Sequence, residues 1–303
     1  MRILFWLRKE YISYNMQNNL IILAGGASSR MKKSNATENL SEAEIKKANS
    51  RSKALFGFGK KDRPILDFLL LNAEKAGYKN VIIIIGEDGG MFKEYYGIAN
   101  QNNTFNSLTI SYANQYIPKE REKPYGTADA VLQALEQYPN LQNESFTVCN
   151  SDNLYSVKAL LFLRETKAPN AFISYDRDGL NFPSEKIERF ALVKLDAHSN
   201  LVDIIEKPSK ENVNLYQDSL GKLRVSMNIF KFTGGEIYPF LKNCPVKPIR
   251  NEKELPTAIL NMCRESSYSM KGISFKEHVP DLTSKGDIAS MKMYLREHYP
   301  EYF

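Results

Sequence analysis

Apolar positions in this chain come as short unbroken runs set between stretches of helical period. Residues 19–23 (NLIIL) and 81–85 (VIIII) show no polar alternation, the pattern of strands buried on both faces, as in a parallel sheet. The first run breaks at Ala24-Gly25-Gly26. Residues 65–76 are strongly apolar, with Pro64 at the first turn and Gly77 just past the end, which brackets a helix. Further strands are predicted at 109–112, 145–149 and 171–175, and helices at 127–137, stopped before Pro139, and at 156–166. This alternation predicts a doubly wound α/β sheet. Beyond residue 175 the pattern changes. Segments 190–195 and 201–206 flank a polar turn and predict a β-hairpin, 224–232 a strand, and helices follow near 233–242, 255–264 and 286–298. Residues 32–52, rich in Lys, Asn, Ser and Glu, predict a long mobile loop with a short helix at 41–48. No linker or repeat separates the two halves, so both are expected to share one sheet.

Composition narrows the class. Of 303 residues, 43% are apolar and 25% charged, which is too hydrophobic for a disordered chain and ample for a core. The net charge of +6 comes from scattered Lys and Arg mixed with acids, so it favours anionic small molecules over nucleic acid. Cys149, Cys244 and Cys263 are odd in number and far apart, without CxxC or His-rich spacing. Neither a disulfide framework nor a structural zinc site is supported, and a cytoplasmic setting fits best. The apolar run at 3–7 is too short to span a membrane and lacks a small-residue cleavage site. Met16 stands just before the first strand, so residues 1–15 are read as an N-terminal extension, with a mis-assigned start as the alternative.

The segment Leu23-Ala24-Gly25-Gly26-Ala27-Ser28-Ser29-Arg30-Met31 is the most informative. Two glycines at a strand end let the backbone approach a ligand, and successive N–H groups form an anion cradle. Arg30 adds a forked, permanently charged donor suited to phosphate. The bland alternative is a glycine turn with a surface arginine. The segment is neither a Walker A loop nor a GxGxxG dinucleotide fingerprint.

It does resemble the signature loop L-A-G-G-x-G-[ST]-R-[LM] of the nucleotidyltransferases that make sugar nucleotides, with Ser28 in place of the third glycine. Further matches follow in the family's order: Arg51-Ser52-Lys53-Ala54-Leu55 for P-K-A-L, Gly126-Thr127-Ala128-Asp129-Ala130 for G-T-A-x-A, and Asn150-Ser151-Asp152-Asn153 for a strand-end G-D. Glu206-Lys207-Pro208 resembles E-K-P, 225–232 (VSMNIFKF) resembles N-x-G-I-Y-x-F with Asn228 as the polar match, and Glu254-Leu255-Pro256 fits the segment before a late helix. The run from Asp281 to Ile288 resembles D-V-G-T-P-E-D-L. The resemblance spans about residues 19–290 and implies a Rossmann-like mixed sheet of the nucleotide-diphospho-sugar transferase type. Residues 16–303 would form one domain, with a nucleotide-binding half at 16–150 and a sugar-phosphate-binding half at 151–303.

The reaction so implied is attack by a sugar 1-phosphate oxygen on the α-phosphorus of a nucleoside triphosphate, expelling pyrophosphate. An anionic nucleophile needs no general base, consistent with His198, His278 and His298 lying in no triad-like setting. The task is positioning and charge neutralisation. The resemblance assigns Arg30, Lys53 and Lys207 to catalysis, and Leu23, Ala24, Gly25, Gly26, Gln115, Gly126 and Thr127 to the nucleotide. Glu206, Lys207 and Asn228 go to the sugar phosphate, and Asp152 and Asp281 to Mg²⁺, which takes few carboxylates beside phosphate and water. Each has a plain alternative: Asp152 as a helix cap, Asp281 as a turn acid, Lys53 as a surface lysine, Thr127 as a helix N-cap, and Glu206-Lys207-Pro208 as a charged strand end. Asn228 reads as a buried amide that needs partners. Tyr125 could stack on a base or pack in the core, and Asp176-Arg177-Asp178 reads as an exposed turn.

The expected partners are a nucleoside triphosphate and a sugar 1-phosphate, without nucleic acid or membrane, and homo-oligomerisation stays open. Alternatives are a cytidylyl- or guanylyltransferase acting on another phosphorylated alcohol or a cofactor precursor, a glycosyltransferase on a related fold, and a catalytically silent nucleotide-sugar-binding regulatory subunit.

Overall fold

A ten-stranded mixed sheet runs through the chain, and its parallel centre is built from the unbroken apolar runs. The structure is a computed structural model and describes residues 17–35, 40–87, 89–206, 208–209, 211–265 and 268–303. The proposed extension at 1–15 and the assigned Lys207 lie outside the described residues.

In chain order, β1 (Asn19–Leu23), α1 (Ser29–Lys33) and α2 (Glu42–Ser50) lead to a small hairpin of β2 (Gly57–Phe58) and β3 (Arg63–Pro64), then α3 (Ile65–Lys75). There follow β4 (Asn80–Gly86), α4 (Gly90–Tyr96), β5 (Asn103–Phe105), β6 (Leu108–Gln115), α5 (Thr127–Gln137), β7 (Ser145–Asn150) and α6 (Val157–Glu165). The second half adds β8 (Ala171–Asp176), α7 (Ser184–Ile187), β9 (Ala191–Leu195), β10 (Leu201–Ile205), β11 (Arg224–Thr233), α8 (Gly234–Lys242), α9 (Leu255–Arg264), β12 (Lys271–Phe275) and α10 (Ile288–His298).

Strands β7, β1, β4 and β6 lie parallel and adjacent in that order. Alternate residues of each run serve opposite faces. Leu20 and Ile22 join Leu66 of α3 and Leu160 of α6 on one side. Ile21 joins Val131 of α5, Ile237 of α8 and Ile259 of α9 on the other. Two buried faces explain why β1 and β4 carry no polar alternation. Each such side chain contributes about 1.5–3 kcal/mol through burial, so the centre of the sheet is rigid and its strand ends are fixed platforms.

β11 joins the halves. It runs antiparallel to β9 over residues 224–226 and to β7 over 229–233, with β8 along its other edge. The change of neighbour falls at a register shift between Ser226 and Phe230, where Asn228 takes a left-handed φ of 57°. A bulge of this kind bends a strand and re-aims one side chain. Asn228 is therefore exposed, which corrects its reading as a buried amide.

The segment 32–52 carries the short helix expected at 41–48, ending at Ser50, and only the mobility expected of residues 40–52 is corrected. It contains all of α2, opened by a reciprocal cap between Ser41 and Glu44, and α2 is pinned by Lys47 and Arg51 to Asp62 and by Glu44 to Lys292. The capping pair was present in the sequence as Ser-x-x-Glu, a helix-start signal. Among the described residues no helix is long and apolar enough to cross a membrane.

Candidate active site

The loops leaving the carboxyl ends of β1, β6 and β7 converge, the place where open α/β sheets bind ligands. Two chambers occupy this edge. The smaller, about 520 Å³, is lined by the whole segment from Leu23 to Arg30, with Lys53, Gln115, Gly126 and Thr127. The larger, about 1140 Å³, is lined by Arg30, Lys33, Lys186, Arg189, Phe190, Glu206 and Asp281, among others. Arg30, Asn150, Asp152, Asn228, Arg250 and Thr283 line both, so the chambers meet there.

The glycine segment is shaped by its neighbours. A Cβ on Gly25 would sit 3.3 Å from the Gly86 backbone nitrogen, whereas one on Gly26 would meet nothing within 4 Å. Gly25 thus packs β1 against β4, and Gly26 presents bare backbone to the cavity. Ser28 takes the left-handed conformation, φ 54°, which glycine adopts without cost. Its hydroxyl accepts the backbone N–H of Lys53 at 3.1 Å. Arg30 is exposed on the wall shared by the two chambers and has no ion pair among the described residues.

The side of the smaller chamber is held by Gly126, whose φ of +107° and approach to the Lys253 carbonyl, 2.7 Å from an added Cβ, exclude other residues. Gly126 occupies the N-cap position of α5, so Thr127 is not the cap. Its hydroxyl instead accepts the Leu255 N–H at 2.9 Å, satisfying an amide at the start of α9. Gln115 is buried, and its amide nitrogen donates to the Gly126 carbonyl at 2.9 Å and to Asp129 Oδ2 at 3.1 Å. Both partners accept only, which fixes the amide orientation and leaves Oε1 as the free acceptor. Tyr125 lies under the Arg121 guanidinium, 3.8 Å from its ring centre, and lines neither chamber.

Where the chambers meet, Asp152 and Asp281 are 6% and 8% exposed. The antiparallel bridge Asn153–Asp281 and the Leu282 N–H to Asp152 carbonyl bond of 2.8 Å bring their segments together. Asp152 is not a helix cap; Ser156 caps α6. Lys53 pairs with Asp152, and Lys186 with Asp281 at 2.9 Å and Asp287 at 2.6 Å. Burial, and then the Asp152 charge, pushes the Asp281 carboxyl above the usual range. Two crowded carboxylates suit a cation. Among the described residues no cluster of three or more His, Cys, Asp or Glu is placed for a metal. The donor set fits a hard cation completed by phosphate and water, and does not fit an all-protein cage.

On the far side, Glu206 pairs with Arg250 at 2.7 Å, and Arg250 also reaches Glu254 at 3.1 Å. Asn228 faces both chambers from its bulge. None of the three histidines lines either chamber. Asp176 is buried against Lys222 at 2.7 Å, which corrects its reading as part of an exposed turn; the turn follows at 177–179, and none of these residues lines either chamber. Sequence reasoning missed Lys186 and Arg250. Both sit in polar stretches without motif or period, and only the fold brings them to the cleft.

A family profile described as nucleotidyl transferase matches residues 19–276. The fold is also similar to the crystal structure of UDP-glucose pyrophosphorylase complexed with UDP-glucose. The match covers 93% of this chain and 100% of that one, at 16% identity and a TM-score of 0.67. The chain belongs to the nucleotidyl transferase family, as the signature-loop resemblance predicts, and is a nucleotidyltransferase.

Proposed function

We propose that the protein joins a nucleoside triphosphate to a sugar 1-phosphate, giving a nucleoside diphosphate sugar and pyrophosphate, with Mg²⁺ as cofactor. The observation that carries this reading is the pair of chambers that open into each other at Asp152, with Arg30, Asn228 and Arg250 on both walls. The smaller chamber takes the nucleotide. Its base lies against Gly126 and Thr127, with Gln115 Oε1 accepting a base N–H, and the backbone of Leu23, Ala24, Gly25 and Gly26 follows the phosphates.

Arg30 and Lys53 hold the triphosphate and steady the pyrophosphate as it leaves. A sugar-phosphate oxygen forms a bond to the α-phosphorus while the α–β bridging bond breaks, so no proton need be removed from the nucleophile. Glu206 and Asn228, which line the larger chamber, orient the sugar phosphate there, and the resemblance assigns Lys207 to the same substrate. Asp152 and Asp281 would hold the cation, whose contribution is charge neutralisation at the reacting phosphates. Catalysis by position and charge accords with a cleft whose walls carry Arg30, Lys53, Lys186 and Arg250 beside the carboxylates of Asp152 and Asp281, and no histidine.

A pyrophosphate-release screen of the common triphosphates against sugar 1-phosphates and other phosphorylated alcohols tests this. Release with a sugar 1-phosphate is expected. Release only with another alcohol phosphate would move the acceptor class, and none with any pair would favour a silent binding subunit.

A further inference from the structure

Lys285 is 3% exposed, and it has no carboxylate partner among the described residues. Its ammonium donates to three main-chain carbonyls: Met31 at 3.0 Å, Lys32 at 3.0 Å and Ser34 at 2.6 Å. These belong to the C-terminal end of α1, where carbonyls lack intrahelical partners and the helix dipole is negative. All three donors of the ammonium are thereby used. The Lys285 N–H donates to the Ser34 hydroxyl at 3.0 Å, and that hydroxyl donates to the Met31 carbonyl at 3.1 Å.

The clamp joins two parts of the cleft. α1 has five residues and carries Arg30 in its first turn. A helix so short is marginal by itself and depends on tertiary contacts for its position. Lys285 lies four residues beyond Asp281, and the intervening turn is fixed by Asp287, which accepts from Thr283 N, Ser284 N and the Ser284 hydroxyl. The Arg30 helix and the Asp281 segment are thus tied through one buried ammonium.

We propose that Lys285 is the positioning residue for Arg30: by gripping the end of α1 it sets where the guanidinium meets a polyphosphate, and it couples that placement to the Asp281 segment. The inference rests on the reading of Arg30 as a polyphosphate contact. A buried charge tolerates little displacement, because leaving it or its carbonyl partners unpaired is costly. The geometry at Arg30 is correspondingly stiff.

A double-mutant cycle tests the claim, read as calorimetric affinity for inorganic pyrophosphate with Mg²⁺, a probe independent of base and sugar. Arg30→Ala is expected to weaken binding about tenfold or more, the scale of one charge-assisted contact. Lys285→Met is expected to lose a comparable factor in the parent and almost none in the Arg30→Ala background, while lowering Tm in both. A merely structural lysine would give the Tm loss with independent, multiplying affinity losses. Multiplying losses, or a Lys285→Met protein that binds like the parent, would overturn the inference and leave the Arg30 reading intact. An unaffected Arg30→Ala would overturn both. If Lys285→Met does not fold, Ser34→Ala loosens the same joint. A loss of about threefold that vanishes in the Arg30→Ala background is expected there for one neutral hydrogen bond; no loss, or a multiplying one, would overturn the inference.

Discussion

The hydroxyl of Ser28 accepts the backbone N–H of Lys53 at 3.1 Å, while Ser28 itself occupies a left-handed conformation. The position that a third glycine takes in the resembled signature is thus filled by a residue that trades backbone ease for a bond to the segment carrying Lys53. Left-handed backbone costs a non-glycine residue about 1–2 kcal/mol, and one hydrogen bond returns about 1 kcal/mol. Ser28→Gly should therefore change stability by no more than about 1 kcal/mol. Activity should fall several-fold because Lys53 loses its tether. Thermal melting beside steady-state rates checks this, and an unchanged rate would contradict it.

Asp152 sits where both chambers meet, paired with Lys53 and beside Asp281. Asp152→Asn keeps the shape and removes the charge. Pyrophosphate release should drop by about 10²–10³ or more, the scale of losing one electrostatic contact at the reacting centre. Tm should move little, since Lys53 retains access to water. A fully active Asp152→Asn protein would remove this residue from the cation site.

Gln115 presents Oε1 because Gly126 and Asp129 accept from its nitrogen. Gln115→Leu should flatten discrimination among triphosphates by up to about tenfold, the scale of one hydrogen bond, while affinity for inorganic pyrophosphate stays put. Equal selectivity in the variant and the parent would show that the base is read elsewhere.

Burial, with help from Lys186 and His298, holds the His278 imidazole down at about 4, below its usual 6.5. Its Nδ1 accepts the Asn181 N–H at 3.1 Å, a bond that a protonated ring cannot accept. Between these two values the unfolded chain binds more protons than the folded one, so stability is full above pH 6.5 and falls as pH drops towards 4. The loss attributable to this ring is on the order of 2–3 kcal/mol. His278→Phe should flatten that part of the Tm–pH curve; parallel curves for parent and variant would count against it.

The sheet was legible because its central strands are buried on both faces, so β1 and β4 appear as runs of Leu, Ile and Val that no other setting explains as simply. Helix α5 was legible from its period, with Ala128, Val131, Leu132 and Leu135 all turned to the core. Strand β12 was not seen, since KGISF is short and takes its place only by pairing with β8. The glycine segment and the two aspartates could be found because their motifs are local. Lys186, Arg250 and Lys285 could not, because each bonds to groups 44 to 254 residues away in the chain. Asn228 was noticed for the wrong reason: polarity in an apolar strand marked a bulge, and the bulge turns the amide outward.

The most direct test follows the phosphorus. With triphosphate labelled at the α- or the γ-position and a sugar 1-phosphate as acceptor, the α-label should appear in a nucleoside diphosphate sugar and the γ-label only in pyrophosphate. Label from the γ-position in the sugar product, or in free phosphate without pyrophosphate, would contradict transfer of a nucleotidyl group across this cleft.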